Sequence, residues 1–286
     1  MMEFAVKMRE DLRLHGMSEA TVKLYVRMVR KLEEFIGKRA DLTTEDDIRR
    51  YFLYLKEKGY SRTHFKIALC GVKFYTTYTL GKEWPIFKLI KPKDEHRLPV
   101  VLSTEAVKSM LDQVREYRHY AFLSTVYSCG LRLQEARNLE VKDIDSDRML
   151  LHIHGKGARD RYVPLPDSTL RILKRNWVEH KNPRLIFPAT GRGGDSRLTA
   201  QIPVNAGTVQ RAMRLSLDAA GIHKKAHLHT LRHSYATHLL ERGVSIRIIQ
   251  KYLGHALLKT TLIYIHLTEK SRTAAYSKLN NLMKDL

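Results

Sequence analysis

Cysteine is nearly absent from the 286 residues, with only Cys70 and Cys129 present. That excludes a disulfide framework and a cysteine-based metal site, and it points to a reduced, cytoplasmic protein. Proline and glycine are also sparse, at 8 and 15 residues, which argues against low-complexity or collagen-like chains. No fixed-period repeat is present. No apolar run can cross a bilayer: the stretch from His119 to Leu131 is free of formal charge but too short, and it contains polar residues. The opening MMEFAVKMREDLR lacks the apolar core of a signal peptide. Acid is the last deficit. Asp+Glu number 30 against 51 Lys+Arg, for a net charge of +21 and a pI near 10.0. A field of that size implies a polyanionic partner, with nucleic acid ahead of an anionic membrane surface.

What is there reads as mainly α with a small antiparallel sheet. Apolar residues recur at i, i+3, i+4 or i+7 through the first ninety residues, which predicts four helices. They begin near Phe4, Ser18, Thr43–Thr44 and Ser61, and they end at Gly16, Gly37, Gly59 and Gly81. Residues 1–90 therefore form a helical bundle. Its polar faces are basic, and the start of the fourth helix, with Arg62, His64 and Lys66, is the best candidate for an edge facing a nucleic-acid groove. Residues 91–102 lack periodicity and carry Pro92 and Pro99 among charges, as a linker does.

A second domain, 103–286, opens at Ser103–Thr104. Helices are expected at Tyr117–Cys129, from Glu135, around Leu170–Val178 and around Thr208–Ala219, where Arg211 and Arg214 are further candidates for DNA contact. Met149–His154 alternates like a strand, and Tyr162–Leu165 reads as its hairpin partner, with Lys156 in the intervening turn. A glycine-rich segment, Ala189–Gly207, has the length of a functional loop.

The chemistry concentrates at His229–Tyr264. His229 and Arg232 share a helix face at i, i+3. Gly254-His255 follows, and Tyr264 stands nine residues past that histidine. A guanidinium is a charged planar fork that fits phosphate oxygens. Zinc is a competing use of His229, His233, His238, His255 and His266, but none has the HExxH or carboxylate partner of a hydrolytic zinc site. Taken singly, Arg132 reads as a surface residue paired with Glu135, and Lys156 as an ordinary turn lysine. Among the fourteen tyrosines, Tyr235 and Tyr252 read as core, and Tyr276 lies in the tail.

As a set, GLRLQEARNL, GKGARDRYVPLP and HTLRHSYATHLLERGVSIRIIQKYLGHALLKTTLIYIH resemble the tyrosine recombinase (lambda-integrase) family, nearest to its Xer-like members. The resemblance covers essentially the whole chain. It implies site-specific DNA recombination without metal or other cofactor, through a 3′-phosphotyrosine formed by Tyr264. It assigns Arg132, Lys156, His229, Arg232 and His255 as the remaining catalytic residues, with Glu135 in support. It also implies a SAM-like DNA-binding bundle for 1–90, a double-stranded DNA site as partner, and a tetramer on DNA held by the C-terminal segment 268–286. Ala256 departs from the family pattern, where serine is common. A type IB topoisomerase and a DNA-binding protein without catalysis are the rival readings, and the intact residue set argues against the second.

Overall fold

The computed structural model describes residues 3–92, 99–155, 160–191 and 197–265. They fall into two compact units that divide between Arg97 and Leu98. The first unit holds α1 (Glu3–Leu14), α2 (Glu19–Ile36), α3 (Glu45–Glu57), α4 (Arg62–Phe74) and the short α5 (Ile86–Leu89). Side-chain caps set three of the starts. Ser18 Oγ accepts from the Thr21 N–H and Ser61 Oγ from that of His64, while Thr44 and Asp47 cap one another reciprocally.

The helical stripes meet in two clusters, one built around Met8, Leu12, Val26 and Val29, the other around Leu32, Ile48, Phe52, Phe65 and Val72. The expected fourth helix is α-helical only to Phe74. It finishes as a π-helical turn, Tyr75–Thr79. The single turn of α5 is too short to leave a periodic signal, so the sequence reading misses it.

The second unit runs α6 (Thr104–Asp112), α7 (Tyr117–Ser128), α8 (Leu133–Arg137), β1 (Ile144–Asp145), β2 (Leu150–Ile153), β3 (Arg161–Pro164), α9 (Asp167–Val178), α10 (Ala206–Ala219), α11 (Leu228–Glu241), α12 (Ile246–Leu253) and α13 (Leu258–Leu262). The sheet is antiparallel in the order β1-β2-β3, with Leu151 opposite Val163. The hairpin was legible, but β1, at two residues, is too short to show alternation.

Leu151, Ile153, Val163 and Leu165 face a core shared with Phe122, Leu123 and Val126 of α7. Leu102, read as the end of the linker, is itself fully buried in that core, and its N–H donates to Ser234 Oγ at 3.0 Å. α11 is buried on nearly every side, because small Ser234, Ala236 and Thr237 let neighbours close on it. Among the described residues, no helix is long and apolar enough to cross a membrane.

Candidate active site

The site starts from a turn. Gly130 follows α7 with φ of 61°, and a Cβ there would meet Tyr235 Cδ1 at 2.4 Å. No side chain fits, so the backbone reverses sharply, burying Leu131 and placing Arg132 just ahead of α8. Glu135, one turn on, holds it. Its Oε2 accepts from the Arg132 N–H at 2.8 Å and its Oε1 from Nη1 at 2.7 Å.

Glu135 is shared more widely than that pair. Arg161 on β3 donates Nη1 and Nη2 to its two oxygens at 2.9 and 2.8 Å, and Arg232 Nη1 lies 3.6 Å from Oε2. One carboxylate thus faces three guanidiniums, with its side chain only 7% exposed. Burial opposes its charge, but the Arg161 guanidinium overcomes that and brings its pKa down to about 2. Arg161 was not singled out from sequence. The signal was available: on β3 it occupies the inward-facing register of Val163, where an arginine demands a buried partner.

Arg232 lies beneath this layer at 1% exposure, the largest fully buried side chain described. Nη1 donates to the Gly130 carbonyl at 2.7 Å, and Nη2 donates to the Leu253 carbonyl. Burial and then the charge of Arg132 lower its pKa to about 9, which leaves it a cation at neutral pH. Both accepting carbonyls sit at chain reversals. The second reversal ends α12 with Gly254 in the left-handed region, where a Cβ would press on Arg161 Cδ at 3.0 Å.

His255 follows directly, its N–H bonded to the Gln250 carbonyl and its Nδ1 2.9 Å from Thr261 Oγ1. Burial, then Arg232, takes its pKa down to about 4. His229 opens to the cavity one helical turn from Arg232, and desolvation followed by Arg232 also lowers its pKa.

Tyr264 is 1% exposed and packs with Tyr235, Ile249 and Leu253. Its hydroxyl lies 3.0 Å from His233 Nδ1, and its ring stacks over His255 at 6.3 Å between centroids. His233, held near pKa 4 by burial, is neutral at pH 7, and in the tautomer with its proton on Nε2 its Nδ1 accepts from the phenol. Cations beside a phenol favour its phenolate. Arg232 and Arg132 do pull that way, but burial outweighs them and the phenol pKa is raised. Tyr235 is buried as anticipated, whereas Tyr252 is half-buried against the main core.

Arg132, His229 and His255 line one open cavity of about 820 Å³, together with Glu135 and Arg161. Arg232 lies directly behind it, and Lys156 lies outside the described residues. Arg211 and Arg214 are exposed on α10, and Arg62 and Lys66 on α4; His64 is half-buried and stacks on Tyr60 at 4.7 Å. The Arg132 fork and two imidazoles around a cavity, backed by the buried charge of Arg232, suit a phosphodiester, and a phenol is held one layer below.

Residues 100–271 match the phage integrase family, and residues 4–86 match the N-terminal SAM-like domain of phage integrases. The chain belongs to the tyrosine recombinases. This recombinase is 33% identical to the tyrosine recombinase XerA of Pyrococcus furiosus, over 95% of its own length and 92% of that protein's. It is 32% identical to a tyrosine recombinase of Thermosipho africanus, over 92% and 94% of the two chains.

Among solved structures, a crystal structure of XerA recombinase aligns with a TM-score of 0.53 at 28% identity, covering 96% and 98% of the two chains. XerH bound to its difH substrate in a post-cleavage complex aligns with a TM-score of 0.69 at 23% identity, over 90% and 79%, and supports the fold alone. By its family, the recombinase is an enzyme that cleaves and rejoins DNA strands.

Proposed function

We propose that this recombinase exchanges strands at a specific double-stranded DNA site through a covalent 3′-phosphotyrosine on Tyr264. The observation that carries the reading is the convergence of Arg132, His229 and His255 on one cavity above buried Arg232, with the Tyr264 phenol bonded to His233 alongside. Arg132 and Arg232 grip the non-bridging oxygens and offset charge gathering on phosphorus; comparable arginines supply roughly 10³–10⁵ in rate. His229 and His255 hydrogen-bond the same oxygens. Neutral His233 accepts the phenol proton as Tyr264 oxygen bonds to phosphorus.

The bond from phosphorus to the 5′ oxygen breaks, and Lys156 protonates the departing oxygen. Re-attack by that hydroxyl, or its counterpart on a second duplex, restores the phosphodiester, so the ester conserves the bond energy. No metal or high-energy cofactor takes part in these steps. The protein acts in the cytoplasm, as a tetramer on two duplexes, and cyclic contacts of that kind must close; the segment 268–286, to which the resemblance assigns those contacts, lies outside the described residues.

Incubation with a nicked suicide site is expected to trap a covalent protein–DNA complex, and a two-site plasmid is expected to yield recombinants. Relaxed plasmid without recombinants would assign the chemistry to a topoisomerase instead. Absence of any covalent complex would remove the phosphotyrosine.

The bundle, residues 1–90, and α10 supply the non-specific grip on DNA. Phosphate contacts release condensed counterions, so neutralising Arg62 and Lys66 together is expected to flatten the dependence of log affinity on log salt by about 0.9 per contact. Equilibrium binding across a salt series checks this. An unchanged slope would return that face to solvent.

A further inference from the structure

Asp143, His152 and His154 each offer one ligand atom, and the three atoms lie within 4.8 Å of one another. We propose that they form a binding site for a divalent transition metal of the zinc class, with Asp160 as a further carboxylate at its edge. The ion is separate from the strand chemistry proposed above, and its binding does not depend on that reading. His152 and His154 are two residues apart along β2 and its end, so both imidazoles leave the same face of the sheet. Asp143 arrives from the single 3-10 turn Val141–Asp143 before β1, its side chain 2% exposed. Oδ2 of Asp143 is occupied by the Glu140 N–H at 2.9 Å, which leaves Oδ1 aimed at the imidazoles. Asp160, from across the hairpin, brings Oδ2 to 3.2 Å from His152 Nε2 and 3.2 Å from His154 Nδ1.

Ligand atoms around a tetrahedral zinc stand about 3.3 Å apart, given bonds of ~2.0–2.2 Å. Asp143 Oδ1 and His154 Nε2, at 3.0 Å, already stand that close, the three ligand atoms lie within 4.8 Å of one another, and the side chains at the edge are free to adjust, since His154 is 55% and Asp160 44% exposed. Imidazole donors select zinc, copper, nickel or cobalt over magnesium and calcium, and two imidazoles with a carboxylate form a recurrent zinc set.

A second observation points the same way. Both ring nitrogens of His154 face carboxylate oxygens, Nε2 at 3.0 Å from Asp143 Oδ1 and Nδ1 at 3.2 Å from Asp160 Oδ2. A metal on Nε2 beside Asp143 leaves an Nδ1–H to donate to Asp160 Oδ2, the arrangement that orients metal-bound histidines. The cluster opens on the cavity lined by Arg132 and His229.

The test is titration of the full chain, stripped with chelator, by cobalt(II) alone and then zinc(II) alone. One equivalent of cobalt is expected to give visible ligand-field absorption, which zinc then abolishes by displacement. The double variant His152→Gln/His154→Gln is expected to lose that absorption and to bind at least ~10-fold more weakly at an unchanged melting temperature. Should the double variant unfold, His154→Gln carries the test alone, because its side chain is mostly exposed and packs little core. Wild-type protein without ligand-field absorption, or a spectrum unchanged in the folded variant, would overturn the proposal. The cluster would then be a proton-bridged ion pair only.

Discussion

Tyr264→Phe is expected to abolish the covalent complex, lowering strand cleavage ~10⁴-fold or more, while DNA affinity stays at the wild-type value. The size follows from the chemistry: phenylalanine has no oxygen to attack phosphorus, and a charged phosphate grip without a nucleophile leaves only slow hydrolysis. The structural cost is small. Phenylalanine fills the same pocket among Tyr235, Ile249 and Leu253, and the loss is one hydrogen bond to a neutral imidazole, worth about 1 kcal/mol. A gel-shift titration beside denaturing electrophoresis of a suicide substrate checks both halves. A Tyr264→Phe protein that still traps DNA would move the nucleophile elsewhere.

Glu135→Ala is expected to destabilise the second unit by about 3–5 kcal/mol, since it leaves the guanidiniums of Arg132, Arg161 and Arg232 facing one another without their counter-charge. Denaturant unfolding measures it. A loss within about 0.5 kcal/mol would show that the carboxylate is a surface partner of Arg132 alone.

The same residue sets an acid limit. Its folded pKa of about 2 lies below the ordinary 4.5, so the unfolded chain binds the proton more readily. Its contribution is complete above pH 4.5 and is lost as pH falls toward 2. His233 and His255 act over a different window. Both are depressed from 6.5 to about 4, so the unfolded chain takes up protons first there too, and stability rises with pH between about 4 and 6.5. Glu135→Ala is expected to remove the lower window and keep the upper one.

Much of this was legible before any coordinates. The helical stripes of the bundle, the hairpin at Met149–Leu165 and the left-handed glycines bounding Arg132 and His255 all leave local marks, because caps, alternation and positive φ act over a few residues. So does the order of Arg132, His229, Arg232, His255 and Tyr264, which the motifs carry directly. What stayed hidden was set by distance along the chain. Arg161 matters because it meets Glu135, 26 residues away, and Tyr252, 91 residues away. His233 reads as a packing or hydrogen-bonding residue beside Arg232, and its partner is fixed only when Tyr264, 31 residues on, delivers its hydroxyl. The raised pKa of Tyr264 is equally a product of tertiary burial, which no spacing of cations in sequence reports. The gathering of Asp143 with His152 and His154 depends on a strand too short to be seen.

The sheathing of the Tyr264 phenol also bears on genome safety. In the reaction proposed above no cofactor is consumed, so no fuel supply acts as a brake and geometry serves instead. If the uncovered tyrosine is held to ~1% of molecules, at a cost of about 2.7 kcal/mol, every chance encounter with non-cognate DNA is discounted a hundredfold. A correctly assembled site that binds the uncovered form more tightly recovers the whole factor. Fidelity is then decided by occupancy of a minor state as much as by base recognition, and variants that loosen the packing of Ile249 or Leu253 around the ring should act as mutators rather than as faster recombinases.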